Sequence, residues 1–244
     1  WEKFLQTTTT TVTEEYLSER WPMVELEINT MINAAVCPSE SLVEQIKNLK
    51  EEQVLTFEDT YIAFIAKEEE EIDLDSFQEI AVNEKPLMIE HTWDLFSKND
   101  QAIQADFDLL TKDRISAEIP DSVFCVNKKQ IFVEEGAKLT IASLNASNGP
   151  IYIGEHAEVM EGCAVRGPFA LCEHATLKMG AKIYGATTVG PHSKVGGEVN
   201  NSIIMGYSNK GHDGFLGNSV LGEWCNIGAD SNNSNLKNNY AEVR

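Results

Sequence analysis

Between residues 153 and 195 the aliphatic residues fall into step. Ile153, Val159, Val165, Leu171, Leu177, Ile183, Val189 and Val195 stand eight in a row at a spacing of six. Four residues after each comes Ala157, Cys163, Phe169, Ala175, Ala181, Thr187, Ser193 or Val199, most of them small. A helix repeats about every 3.6 residues and a strand about every 2, so neither gives this period. A coil of three short strands with tight corners does. Each strand and corner uses six residues, its aliphatic side chain points inward, and the small residue lets the corner close. Such coils bury their apolar surface only against one another, so they stand as a stack. Val133 and Leu139 form an earlier pair in the same style, Ser143–Pro150 interrupts as a loop, and Phe215, Leu221 and Ile227 form a later set.

Residues 1–115 carry no such period and read as mixed α/β. Thr7–Thr11 is a polar loop, and Thr13 caps a helix start at Glu14–Leu17. Ser39 caps a second helix through Lys50, with Leu42, Ile46 and Leu49 on one face. Thr60–Ile65 reads as a buried strand. Glu68–Glu71 reads as a solvated turn. Trp93–Leu110 reads as helical, with Phe96, Ile103, Phe107 and Leu110 facing a core. The expected domains are therefore an α/β region, 1–115, and a β-helix, 116–244.

Charge separates the same two regions. The chain of 244 residues carries a net charge of −20, and residues 1–115 hold 26 acidic against nine basic side chains. A nucleic-acid partner is excluded on this balance, because binding phosphates needs clustered cations. No apolar run approaches the ~18 residues of a membrane helix, so a cytoplasmic protein is expected. Five cysteines with no C-x-x-C pair read as free thiols in a reducing compartment.

The segment Ser208–Gly217 (SNKGHDGFLG) breaks the six-residue rhythm and gathers Asn209, Lys210, His212 and Asp213 among glycines. A loop leaving a rigid prism is a natural place for a site. Acyl transfer to an amine needs a base, which neutral imidazole supplies near neutral pH, and a donor for the developing oxyanion. His212 with Asn226 and Asn235 provides those groups. His156, His174 and His192 lie 18 apart, one coil each, and are expected to stack about 4.8 Å apart as an outward corner ladder.

The period-six pattern resembles the hexapeptide-repeat left-handed parallel β-helix. The run Gly211–Asn235 resembles the acetyltransferase domain of bifunctional UDP-N-acetylglucosamine pyrophosphorylase/glucosamine-1-phosphate N-acetyltransferase enzymes. The shared residues are His212, Phe215, Leu216-Gly217, Gly222, Asn226-Ile227-Gly228-Ala229 and Asn235. The chain is similar to the divergent bacterial branch of that family in Trp93–Ser97, Arg166–Ala170 and Gly206–Lys210.

The fold implied is an α/β N-terminal region, partial and nucleotidyltransferase-like, followed by a left-handed parallel β-helix of hexapeptide repeats. The resemblance implies His212 as general base and Asn226, with Phe215, Lys210 and Asn209 beside it, as substrate contacts. It implies Ala229 and Asn235 as acetyl-CoA contacts. Acetyl-CoA is the implied co-substrate and Mg²⁺ the metal of the nucleotidyl step. A hexosamine 1-phosphate and UTP or another NTP are the implied substrates, and a homotrimer the assembly.

Three departures qualify the likeness. The family's usual Tyr is Phe215 here. The sugar-phosphate cations have only Arg166, Lys182, Lys194 and Lys210 as candidates. The Gly-rich nucleotide loop is absent from these residues, and the chain is expected to be the middle of a longer enzyme. Two other readings stay open: a nucleotidyltransferase with the prism as trimer scaffold, and a γ-carbonic-anhydrase-like or non-enzymatic module whose histidine column binds Zn²⁺.

Overall fold

The computed structural model describes residues 1–67, 72–233 and 239. The chain divides into two compact units, Trp1–Glu90 and His91–Arg244. The acidic run Glu68–Glu71 lies outside the described residues.

In the first unit a short helix α1 (Glu2–Leu5) opens the chain. The second helix, α2 (Glu40–Lys47), starts where the Ser39 side chain accepts the Leu42 N–H at 3.2 Å. That bond satisfies one of the donors a helix start leaves unpaired. Leu42 and Ile46 on α2, and Leu49 just beyond it, are buried as their spacing requires. They pack with Val36, Leu55, Ile62 and Ala63 in one apolar cluster. The strands β1 (Ile28–Ile32), β2 (Gln53–Phe57), β3 (Thr60–Lys67) and β4 (Gln78–Ala81) form one sheet in the order β1-β3-β2-β4. Its only parallel pair is β2 with β4. The helix expected at Thr13 is only a 3₁₀ turn, Glu15–Leu17, and the Thr13 hydroxyl donates to a carbonyl instead of capping it. Glu14, Glu15 and Tyr16 are exposed, so no buried face supports a longer helix.

The second unit begins with α3 (Asp94–Ser97) and α4 (Asn99–Thr111), which bury Ile103 and Phe107; Phe96 and Leu110 are half-buried. Buried Asn99 ties α4 to the prism. Its Nδ2 donates to the Ala186 carbonyl at 3.0 Å, and its Oδ1 accepts from Thr188 Oγ1 at 3.1 Å.

The prism is a parallel β-helix of about five turns, consistent with the left-handed form. Its first face runs from Phe124–Val126 up to Phe215–Gly217. Its second runs from Ile131–Val133 to Val220–Leu221, and its third from Lys138–Leu139 to Asn209–Lys210. All eight period-six aliphatics and all eight companions are buried, in one cluster apart from the hydroxyl residues Thr187 and Ser193. Buried hydroxyls find partners at the corners: Ser193 Oγ donates to Met205 O at 2.7 Å and Ser208 Oγ to Gly222 O at 2.7 Å.

Two sequence expectations shift. Ser143–Asn145 is a strand, not loop, because Leu144 points into the core; only residues 146–150 bulge at that corner. In the upper coil Leu216, not Phe215, fills the interior. The six-residue step slips there because the inward residues Leu216 and Leu221 are five apart, the corner at Asn218-Ser219 being one residue short.

Candidate functional site

Residues 211–214 form the corner between the third and first faces, and three glycines decide its shape. Below it, a Cβ at Gly196 would meet Gly211 O at 2.6 Å, and one at Gly197 would meet His212 O at 2.9 Å. Above it, a Cβ at Gly214 would meet Ser231 O at 2.2 Å. The loop is therefore clamped between two coils at distances only bare backbone allows. Further bonds fix its upper edge. The Asp230 N–H donates to Asp213 O at 3.1 Å, and the Phe215 N–H donates to Asn232 Oδ1 at 2.7 Å. Asn233 clasps Gly217 from both sides, accepting its N–H at 2.9 Å and donating to its carbonyl at 2.9 Å. On this fixed corner the His212 side chain is exposed.

Asn209 and Asn226 stack in register on the third face, beside that corner. Asn209 Nδ2 donates to Asn226 Oδ1 at 2.8 Å. With its oxygen engaged, exposed Asn226 finds no acceptor for its NH₂ among the described residues. Ala229 lies exposed in the coil above, and Asn235 lies outside the described residues. Phe215 follows the loop on the first face, half-buried.

The four candidate cations separate. Arg166 and Lys182 both face outward on the first face, and Lys182 is in register with Glu198 and then Phe215. Two strand spacings put Lys182 about 10 Å from Phe215 along that face. Neither cation forms a salt bridge among the described residues. Together with Phe124, Asn145, Ser143 and Tyr184 they line a groove of about 580 Å³. Tyr184 donates its hydroxyl to the Glu198 carboxylate, which holds the phenol above its usual pKa. Lys194 sits on the third face, one coil below Asn209. Lys210 points inside the prism, 1% exposed, where burial pushes its pKa down against the opposing pull of Asp213. Sequence reasoning missed Tyr184 and Glu198. Tyr184 lies one regular coil of 18 residues after Arg166, whereas Glu198 follows Lys182 by only 16 because the corner at Gly196-Gly197 is short.

The histidine column is present and longer than expected. His156, His174 and His192 stack with centroids 5.2 and 4.7 Å apart, then Tyr207 follows at 4.9 Å and Trp224 at 4.6 Å. Among the described residues no group of three His, Cys, Asp or Glu is gathered to hold a metal.

Residues 1–115 match the sugar nucleotidyl transferase family. The match supports a transferase enzyme. No curated protein matches the chain. Two solved structures resemble part of it, both of variants of perosamine N-acetyltransferase from Caulobacter crescentus in complex with CoA and GDP-perosamine. The histidine-to-alanine variant is 14% identical, with a TM-score of 0.30 over 55% of this chain. The histidine-to-asparagine variant is 14% identical, with a TM-score of 0.31 over 52% of this chain. The alignments span 60% of each of those chains. No helix among the described residues is long and apolar enough to cross a membrane.

Proposed function

We propose that the β-helix transfers an acetyl group from acetyl-CoA to the amine of a hexosamine 1-phosphate, with glucosamine 1-phosphate the first candidate. Residues 1–115 would belong to the companion uridylyl transfer from UTP, making UDP-N-acetylglucosamine. The observation that carries the acetyl step is the exposed His212 on a glycine-clamped corner, beside the Asn226 amide and a face bearing two cations without a salt bridge among the described residues.

The amine attacks the thioester carbonyl carbon while His212 removes its proton. The tetrahedral intermediate collapses, the C–S bond breaks, and the imidazolium returns the proton to the departing thiolate. The Asn226 NH₂ is placed to contact the substrate, held in that orientation by Asn209. Arg166 and Lys182 offer the charge that a phosphate needs, and Phe215 an apolar wall. Ala229 and Asn235 remain proposed acetyl-CoA contacts. A homotrimer and a cytoplasmic setting complete the reading, the latter consistent with five free cysteines.

A nucleotidyltransferase whose prism serves only as scaffold is the second reading. It is favoured by Phe215, which lacks a hydroxyl, and by Lys210, which is turned away from solvent. CoA release with glucosamine 1-phosphate and with free glucosamine tests the choice. In the double variant Arg166→Met/Lys182→Met, KM for the phosphorylated sugar should rise about tenfold or more, the worth of one or two charge-assisted bonds. KM for acetyl-CoA should hold. No CoA release from the wild type selects the scaffold reading.

A further inference from the structure

The inward column of the third face reads Leu139, Val159, Leu177 and Val195, all buried; Lys210 occupies the next place and Ile227 the one above. Four coils show that an aliphatic residue suffices to fill this column. A lysine there buries an ammonium, which costs free energy unless its donors are met. Its Nζ donates to His212 O at 2.9 Å and to Gly196 O at 3.1 Å. No salt bridge meets it among the described residues; its hydrogen-bond partners are these two backbone carbonyls, with Asp213 acting on the charge from farther off.

The His212 carbonyl belongs to the corner that carries the exposed histidine, and the Gly196 carbonyl to the corner one coil beneath it. Gly211 and Gly214 give that loop conformational freedom, and Gly196 and Gly197 remove side chains beneath it. The bond from Lys210 reaches the loop from inside, at the backbone of His212 itself.

We infer that Lys210 is a positioning residue, an internal tether that fixes the His212 backbone so its imidazole projects at one angle from the corner. The inference rests on the acyl-transfer reading for its catalytic consequence, but the tether can be measured without turnover.

The test is Lys210→Met in the full chain, since methionine keeps the stem's apolar bulk and removes the donors. Two amides report the loop: Glu198, whose N–H donates to Gly214 O, and Asp230, whose N–H donates to Asp213 O. Their hydrogen exchange should quicken about tenfold or more, while that of Cys172, bonded to Val189 O lower in the prism, should not change. The kcat for CoA release should fall about a hundredfold with both KM values within about twofold, as expected for a base displaced by about 1 Å. If the methionine variant does not fold, Lys210→Gln, which keeps a shorter donor, should show a smaller change in the same direction. Unchanged exchange at both amides in a folded variant overturns the tether. Faster exchange with unchanged kcat overturns its service to His212. A wild type that releases no CoA defeats the acyl-transfer reading, and the exchange comparison still decides the tether.

Discussion

Gly214→Ala should disable the site while leaving the prism standing. The added Cβ would lie 2.2 Å from Ser231 O, where ordinary contact begins at 3.4 Å. The atom it meets is backbone, fixed in the coil above, so no side chain can swing aside. The φ of +122° is also one that alanine adopts only under strain. Overpacking of this kind costs about 1–3 kcal/mol, and the strained backbone about 1–3 kcal/mol more. The relief available is movement of residues 211–214 by about 1 Å, which at a catalytic base lowers rate about a hundredfold. Two controls separate the contributions. Gly180, at the same corner two coils down, has φ +72° but open space, so Gly180→Ala should cost only about 1–2 kcal/mol and keep activity. Gly222 has neither a positive φ nor a close neighbour, its Cβ meeting Cys225 Sγ at 3.8 Å, so Gly222→Ala should be near neutral. Thermal melts and CoA release across the three variants check the order, each kcal/mol corresponding to about 2–4 °C. Wild-type kcat in Gly214→Ala, or equal behaviour of Gly214→Ala and Gly180→Ala, would refute the clamped-corner reasoning.

Asn99→Ala should destabilise the second unit by about 2–3 kcal/mol, because it leaves the buried Ala186 carbonyl without its donor and Thr188 Oγ1 without its acceptor; urea denaturation measures it. Stability should also depend on pH through Lys210. Its pKa is lowered in the folded protein, so between that value and the unfolded value of about 10.4 the unfolded chain holds more protons and stability rises with pH. Urea midpoints across that window should rise more steeply for the wild type than for Lys210→Met, and equal slopes would contradict the buried ammonium.

The prism was legible because its core takes one inward aliphatic per six residues, so Ile153 through Val195 announce three faces without help from long-range pairing. The slips above Val195 were not. Corners at Gly196-Gly197, Asn201-Ser202 and Asn218-Ser219 are short, and a count of six back from Leu221 then lands on Phe215 when the coil turns Leu216 inward. The same slips conceal the upper ladder, since Tyr207 and Trp224 follow His192 by 15 and then 17 residues instead of 18. His212 and Asn226 stood out by residue type, and the Asn209–Asn226 pair became visible only in register. Lys210 misled because a lysine in a polar loop reads as a surface contact; only its place in the aliphatic column marks it as internal. Ser39 was readable because a cap is a local bond, within three residues of its donor.

The most direct measurement is mass-spectrometric detection of the N-acetylated sugar phosphate, with acetyl-CoA and glucosamine 1-phosphate, for the wild type and for His212→Ala. The expected result is product from the wild type and a loss of about a hundredfold or more in a folded variant, the contribution of a general base. Product formed equally by both proteins would contradict the role of His212, and no product from either would contradict acetyl transfer by this prism.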